Sequence, residues 1–117
     1  MAAQGSGALV ERAACEHLQQ QGLALLARNF RSRSGEIDLI MRDGDCVVFV
    51  EVRYRASSQF GGGAVSVDHR KRRKIIHTAE YFLLRNPHLG KFACRFDVIA
   101  ATGSTQQPDL TWIRNAF

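Results

Sequence analysis

Cysteine, proline and long apolar runs are scarce in this chain of 117 residues, which contains three cysteines and two prolines. Cys15, Cys46 and Cys94 lie far apart and form no Cys-x-x-Cys pair, so neither a disulfide framework nor a zinc knuckle is expected. No apolar run is long enough to cross a bilayer, and the start of the chain lacks a basic region followed by an apolar segment. These absences predict a protein of the reducing cytoplasm with no membrane association.

Positive charge is concentrated in the middle of the chain. The net charge is +5, and residues 28–74 hold 11 of the 16 Lys and Arg residues but only six of the 11 Asp and Glu residues. That segment therefore carries the whole excess of positive charge, and the rest of the chain has no net charge. A basic surface around an acidic centre suits a polyanionic partner such as nucleic acid, although basic charge also serves general solubility.

Hydrophobic periodicity and turn signals predict the element order α-β-β-β-α-β, followed by a short last strand. Apolar residues at helical spacing predict a helix over 7–21, and Asp68 is predicted to cap a second helix that ends near residue 85. Strands are predicted over 23–29, 36–42, 46–53, 92–101 and 110–114, with a long loop over 54–66. This order predicts an α/β fold with a central mixed sheet flanked by helices, and 117 residues fit a single domain, 1–117.

Carboxylates interrupt two apolar segments that are predicted to be adjacent strands. The first, residues 35–40, reads GEIDLI, and the second, residues 48–53, reads VFVEVR. Side chains alternate along a strand, so Glu36 and Asp38 share one face of the first segment. An ionised carboxylate is costly to bury without a partner or a metal ion, so the pattern indicates a functional cluster.

The length of the hairpin turn decides which carboxylates meet. A loop of Asp43-Gly44 places Glu36 opposite Glu51, whereas a loop of Gly44-Asp45 places Asp38 opposite Glu51. A three-residue loop without a bulge would put Asp38 and Glu51 on opposite faces. In either two-residue case the carboxylates cluster on one face, where like charges repel each other and recruit a cation.

Such a cluster suits Mg²⁺, which binds one or two carboxylates together with waters and substrate phosphates. Arg53 lies two residues beyond Glu51 on the same face, where it could hold the attacking water or neutralise charge on a phosphate. The alternative is the solvated face of an amphipathic hairpin with cross-strand ion pairs. Val47 and Phe49 share the face of Glu51, which favours a partly buried cluster.

A basic run opens the second predicted helix. Its residues suit contacts with a phosphate backbone, which position a nucleic acid without reading its sequence, although a solvated helix face is the alternative. Glycines 61–63 are predicted to form a flexible connector in the long loop, and Asp97 is predicted to pair with Arg95 or Arg28. The predicted nucleic-acid contacts are Arg55, Arg70, Lys71, Arg72, Arg73 and Lys74.

Several motifs along the chain resemble those of the YraN/UPF0102 family of small bacterial proteins. They are Gly7-x-x-x-Glu11-x-x-Ala14, Gly22 with Arg28-Asn29, the segments 35–40 and 48–55, Lys71, Arg95-Phe96-Asp97-Val98 and Asn115-Ala116-Phe117. The family is similar to archaeal Holliday-junction resolvases in the PD-(D/E)xK nuclease superfamily. The resemblance implies a restriction-endonuclease-like core and cleavage of branched or structured DNA with Mg²⁺ or Mn²⁺.

The same resemblance assigns individual residues. Asp38 and Glu51 fall at the metal-binding positions, and Glu11 matches an extra glutamate that resolvase-like members contribute from the first helix. Arg53 stands where the superfamily usually has lysine, and an arginine that stays protonated suits a phosphate clamp better than a proton-handling role. Lys71 is the member of the basic run that the family marks. Resolvase-like proteins act as dimers, so the resemblance implies a homodimer by analogy.

Three functions are consistent with these residues. The first is a PD-(D/E)xK nuclease in which Asp38, Glu51 and Glu11 hold the metal and Arg53 stabilises the transition state. The second is a nucleic-acid-binding module that keeps the nuclease fold without turnover, and Arg53 is the reason to consider it. The third is a protein-interaction module whose basic face docks an acidic partner without any nucleic acid.

Overall fold

The fold is taken from a computed structural model, which describes residues 6–56 and 67–117. The described residues form two α-helices, a short 3-10 helix (Pro87–Leu89) and five strands, with the helices and strands in the predicted order α-β-β-β-α-β followed by a short last strand. Among the same residues, no helix combines the length and hydrophobicity needed to span a bilayer. The elements are α1 (Ser6–Gln20), β1 (Ala24–Ser32), β2 (Gly35–Asp43), β3 (Cys46–Arg55), α2 (His69–Arg85), β4 (Ala93–Thr102) and β5 (Asp109–Ile113).

The five strands form one mixed sheet in the order β1-β2-β3-β4-β5. The pairs β1–β2, β2–β3 and β4–β5 are antiparallel, and β3–β4 is parallel. A parallel neighbour needs a crossover connection, which α2 provides between β3 and β4. The predicted α/β fold with a central mixed sheet flanked by helices is therefore confirmed.

The β2–β3 hairpin has the predicted register in which Asp38 lies opposite Glu51. Asp43 pairs with Cys46, which leaves Gly44-Asp45 as the two-residue loop, and Gly44 adopts a positive φ of 58° that such turns require. The pairing of Leu39 with Val50 brings the preceding residue, Asp38, level with Glu51. The alternative register, with Glu36 opposite Glu51, is wrong.

Two strands extend further than predicted. β1 continues to Ser32, which pairs with Gly35 across a short turn, so the predicted connection over 31–35 is shorter than expected. β3 continues to Arg55 because its parallel ladder with β4 runs on to Thr102. Most of the predicted long loop, including glycines 61–63, lies outside the described residues.

Both faces of the sheet are covered, which explains the nearly continuous apolar run in β3. Phe49 packs on the face that also holds Ile75 and Phe82 of α2. Val48 and Val50 point to the other face and pack with residues of α1 such as Leu18. A strand that is buried on both sides loses the alternation of apolar and polar residues seen in half-exposed strands.

Asp97 in β4 is fully buried, and its carboxylate joins the C-terminal end of the chain to the sheet. Both oxygens accept from Arg95 Nε at 3.1 Å, Oδ2 accepts from Trp112 Nε1 at 2.9 Å, and Oδ1 accepts from the Asn115 backbone N–H at 3.1 Å. Of the two predicted partners, Arg95 is the correct one. Arg95 also pairs with Asp43 of the hairpin, with Nη1 and Oδ2 3.0 Å apart.

The variant Asp97→Ala is expected to lower the free energy of unfolding by about 3–5 kcal/mol, because it removes the buried acceptor of Trp112 and Asn115 and leaves the largely buried Arg95 guanidinium with Asp43 as its remaining partner. Urea unfolding measures this loss. Asp45→Asn is the matched control, since the Asp45 side chain is 93% exposed and lies 3.9 Å from Arg42 Nη2. Exposed pairs contribute less than about 1 kcal/mol, so equal losses in the two variants would contradict the role given to Asp97.

Candidate functional site

Asp38 and Glu51 meet where β2 and β3 run side by side. Asp38 Oδ2 accepts a hydrogen bond from the Val52 backbone N–H at 2.8 Å, and the Asp38 carboxyl shares a further hydrogen bond with Glu51. Glu51 is only 5% exposed and Asp38 is partly buried, so the two acids meet largely out of solvent. The structure thus brings together the two residues that the resemblance assigns to the metal.

Glu11 reaches the same cluster from α1, where it hydrogen-bonds to Asp38. Asn29 of β1 lies beside it in a left-handed conformation, with φ of 49°. When its amide is oriented to satisfy the surrounding acceptors, its nitrogen donates to Glu11 Oε1 at 3.0 Å and to Glu36 Oε1 at 2.9 Å. Glu36 also pairs with Arg31, with Oε2 and Nε 3.1 Å apart, and so belongs to the rim of the cluster.

Lys71 completes the cluster from the opposite side of the sheet. The side chain of Asp68 caps α2 by accepting from the Lys71 backbone N–H at 2.9 Å, as predicted for the start of this helix. The Lys71 side chain then extends to Glu51, with Nζ and Oε2 2.5 Å apart. This contact pairs the charges, but Glu51 Oε2 has no aligned hydrogen-bond donor among the described residues.

Within the described parts of the chain, Arg53 forms no ion pair with the acidic residues of the cluster or with any other carboxylate. The backbone N–H of Lys71 holds the pKa of Asp68 below its usual value, and the charge of Arg53 contributes to the same shift, which places Arg53 near the start of α2. The cationic side chain that pairs with Glu51 is therefore Lys71 of α2, and not Arg53 of β3.

The basic run of α2 divides between two directions. Arg70, Arg73 and Lys74 are exposed and face the β1–β2 turn. Arg72 turns away from them, because its Nε donates to the Val67 carbonyl at 2.7 Å and its guanidinium lies 5.5 Å from the centroid of the Phe117 ring. Among the other predicted contacts, Arg55 is exposed at the end of β3.

The acidic cluster has strongly shifted protonation equilibria. Burial, together with the hydrogen bond and negative charge of Glu51, raises the pKa of Asp38 from 3.8 to about 8, against the opposing hydrogen bond from the Val52 backbone N–H. Burial also raises the pKa of Glu11, and the charge of Glu36 adds to that shift. At neutral pH Asp38 is largely protonated in the protein without a bound cation.

Asp38→Asn is expected to remove a pH dependence of stability. Between pH 4 and about 8 the folded protein holds a proton on Asp38 that the unfolded chain has lost, so wild-type stability falls as the pH rises through this window. Asparagine stays neutral, so the stability of the variant relative to wild type should rise by roughly 3 kcal/mol between pH 5.5 and 8.5. Urea unfolding in EDTA tests this. Asp45→Asn should follow the wild-type profile, and a parallel profile for Asp38→Asn would refute the shift.

The donor set fits a hard divalent cation. Asp38, Glu51 and Glu11 offer carboxylate oxygens, and these are the ligands that Mg²⁺ and Mn²⁺ prefer. Within residues 6–56 and 67–117, no three acidic, imidazole or thiol groups already surround one point as metal ligands would. Deprotonation of Asp38 would free its oxygens for an ion, as is general for metal ligands that titrate.

Two features of the site escaped the sequence. In the sequence Asn29 stands out only as part of a family motif, although asparagine is one of the few residues that tolerates the left-handed conformation seen here. Lys71 is predicted from the sequence to contact nucleic acid, but no pattern in the sequence around Lys71 or Glu51 indicates that the two side chains meet. The family motif that marks Lys71 was the single indication that it differs from its basic neighbours.

Comparison with known proteins identifies the family. The family model described as "Uncharacterised protein family UPF0102" matches residues 10–101. A UPF0102 protein of Xanthomonas campestris pv. campestris (strain B100) is 55% identical over 116 residues, which cover 99% of this chain and 93% of the relative. A UPF0102 protein of Stutzerimonas stutzeri (strain A1501) is 54% identical over 114 residues, covering 97% and 95% of the two chains. The chain therefore belongs to the uncharacterised protein family UPF0102.

Proposed function

We propose that this protein is a divalent-metal-dependent nuclease that hydrolyses phosphodiester bonds in branched or structured DNA. The observation that carries the proposal is the buried acidic pair Asp38–Glu51, which has Glu11 on one side and Lys71 on the other. Burial of two acids together is unfavourable unless the site serves a bound cation or a reaction, so the arrangement supports catalysis. The preference for branched DNA rests on the resemblance to resolvases.

In this proposal Asp38, Glu51 and Glu11 hold Mg²⁺ or Mn²⁺. The bound ion would stabilise charge on the phosphate and lower the pKa of the attacking water. Lys71 keeps a positive charge beside Glu51, where it can orient the water or neutralise charge as the phosphate is attacked. Arg53 lies near the start of α2 and is assigned to phosphate binding.

The cysteines and the resemblance to resolvases also suggest a cellular location and an oligomeric state. The three cysteines carry free thiols, which agrees with a reducing cytoplasm. By analogy with resolvases we propose a homodimer, which would present two such sites to a two-fold symmetric junction.

The test is cleavage of four-way junctions, flaps and supercoiled plasmid in Mg²⁺, Mn²⁺ or EDTA. We expect metal-dependent cleavage with a preference for the branched substrates. Asp38→Asn, purified in parallel, should show no metal-stimulated cleavage, since asparagine is a much weaker metal ligand than a carboxylate. Equal activity in both preparations would assign the cleavage to a contaminant, and failure of the wild type to cleave or to bind Mn²⁺ by calorimetry would refute the proposal.

The second candidate is a nucleic-acid-binding module without turnover. The observation that favours it is that Lys71 neutralises Glu51 and Asp38 carries a proton, so the acidic pair is already compensated without a metal. Binding of DNA with a steep salt dependence, together with the absence of both cleavage and Mn²⁺ binding, would select this function.

A further inference from the structure

A basic cavity lies on the face of α2 next to Lys71. Its volume is about 390 Å³, it opens to solvent, and its lining contains no acidic residue. Lys74 lies one helical turn, about 5 Å of axial rise, beyond Lys71. The cavity is lined by Arg33 and Ser34 of the β1–β2 turn and by Arg70, Arg73, Lys74 and His77 of α2.

The turn is held firmly against the helix. Ser32 Oγ and Thr78 Oγ1 are 3.1 Å apart, and Thr78, which is fully buried, donates to the Lys74 carbonyl at 2.8 Å. Ser32 Oγ also accepts from the Ser34 backbone N–H at 3.1 Å. A Cβ added to Gly35 would lie 3.6 Å from Lys74 Cβ, so the two backbones approach closely. These contacts fix the position of Arg33 relative to the cations of α2.

The cations of this cavity have no counter-charge. Arg33, Arg70, Arg73 and Lys74 make no salt bridge within the described parts of the chain, and residues 1–5 and 57–66 contain no Asp or Glu. Several like charges held together without partners favour the binding of an anion.

We propose that this cavity binds a backbone phosphate of the nucleic acid that flanks the bond held at Asp38 and Glu51. The proposal rests on the proposed function and extends it, because it gives the substrate a direction along α2 toward the β1–β2 turn. Two or three guanidinium groups match the oxygens of a phosphate, and the lining offers no aromatic ring on which a base could stack. The substrate is therefore a strand that continues past the cleaved bond rather than a mononucleotide.

Fluorescence anisotropy of a labelled four-way junction in EDTA measures this contact without cleavage. Arg33→Ala and Arg73→Ala should each weaken binding about five- to tenfold and lower the slope of log K against log salt by about one. Arg85→Ala removes the same charge from the far end of α2 and should change binding less than about twofold. All three residues are exposed, so the variants should fold, which thermal unfolding verifies. Equal effects of the three substitutions would overturn the proposal.

Further measurements separate the two proposals and the source of the phosphate. If the wild type cleaves with metal while Arg33→Ala and Arg73→Ala bind DNA normally, the cavity proposal is wrong and the nuclease function stands. If the two variants lose DNA binding but the wild type neither cleaves nor binds Mn²⁺, the cavity proposal stands and the nuclease function is wrong. Inorganic phosphate or a mononucleotide that binds as tightly as DNA, with the same dependence on Arg33, would contradict a backbone site.

Discussion

Glu51→Gln is expected to lower the proposed metal-dependent cleavage by at least about 10³-fold, because it would remove a charged ligand from the ion that is proposed to activate the water. Glu51 is the most buried acid of the cluster. Its Oε2 lies next to the Lys71 ammonium, although the angle between them is not that of an aligned hydrogen bond. Glutamine has nearly the same shape and replaces one oxygen by an amide nitrogen that cannot bind the ion. Single-turnover cleavage of a four-way junction measures the effect, and calorimetry with Mn²⁺ should show the loss of binding.

Glu36→Gln is the matched control for this prediction. Glu36 lies at the rim of the same cluster and pairs with Arg31 at 3.1 Å rather than with Lys71. Its replacement should lower cleavage less than about tenfold, in the range of an indirect effect on neighbouring ligands. If the two glutamine variants were equally active, or equally inactive with normal Mn²⁺ binding, the assignment of the metal pair would be wrong.

Lys71→Met is expected to lower cleavage by about 10²- to 10³-fold, which is the range for a positioned group that transfers protons or stabilises charge. Methionine keeps much of the length of the side chain and removes the charge that lies 2.5 Å from Glu51 Oε2. Because a competing cation is removed, the variant should bind Mn²⁺ at least as tightly as the wild type. Reduced cleavage with retained metal binding distinguishes this role from that of a metal ligand.

Arg53→Met provides the comparison for Lys71→Met. The resemblance to PD-(D/E)xK nucleases assigns Arg53 to the position of their usual lysine, whereas the structure brings Lys71 into contact with Glu51. We therefore expect Arg53→Met to act mainly on DNA affinity and to lower cleavage at saturating DNA less than about tenfold. A larger loss of cleavage in Arg53→Met than in Lys71→Met would restore Arg53 as the catalytic cation.

Local chemistry explains the parts of the fold that could be predicted. Gly44 permits the positive φ of the hairpin turn, and this turn sets the register that brings Asp38 level with Glu51. Asp68 caps α2 through a bond to the backbone three residues on, which is a signal that sequence carries directly. The acidic pair was predictable because its geometry depends on one short turn.

Contacts between distant elements could not be predicted in the same way. The Lys71–Glu51 contact depends on how α2 packs against the sheet after the crossover, and no pattern within either segment encodes it. The left-handed Asn29 interrupts a segment that otherwise reads as a strand, and its role depends on Glu11 from α1. The direction of Arg72 is likewise set by Phe117 at the other end of the chain.

The most direct test of the central claim is a crystal structure of the protein with Mn²⁺ at pH 8.5, read from anomalous scattering. At this pH Asp38 is largely deprotonated, since its pKa is about 8. The account predicts an anomalous peak bound by carboxylate oxygens of Asp38 and Glu51, at about 2.0–2.2 Å from each. The account would be contradicted by a crystal with saturating Mn²⁺ whose anomalous map shows no peak between these carboxylates and in which Glu51 is paired only with Lys71.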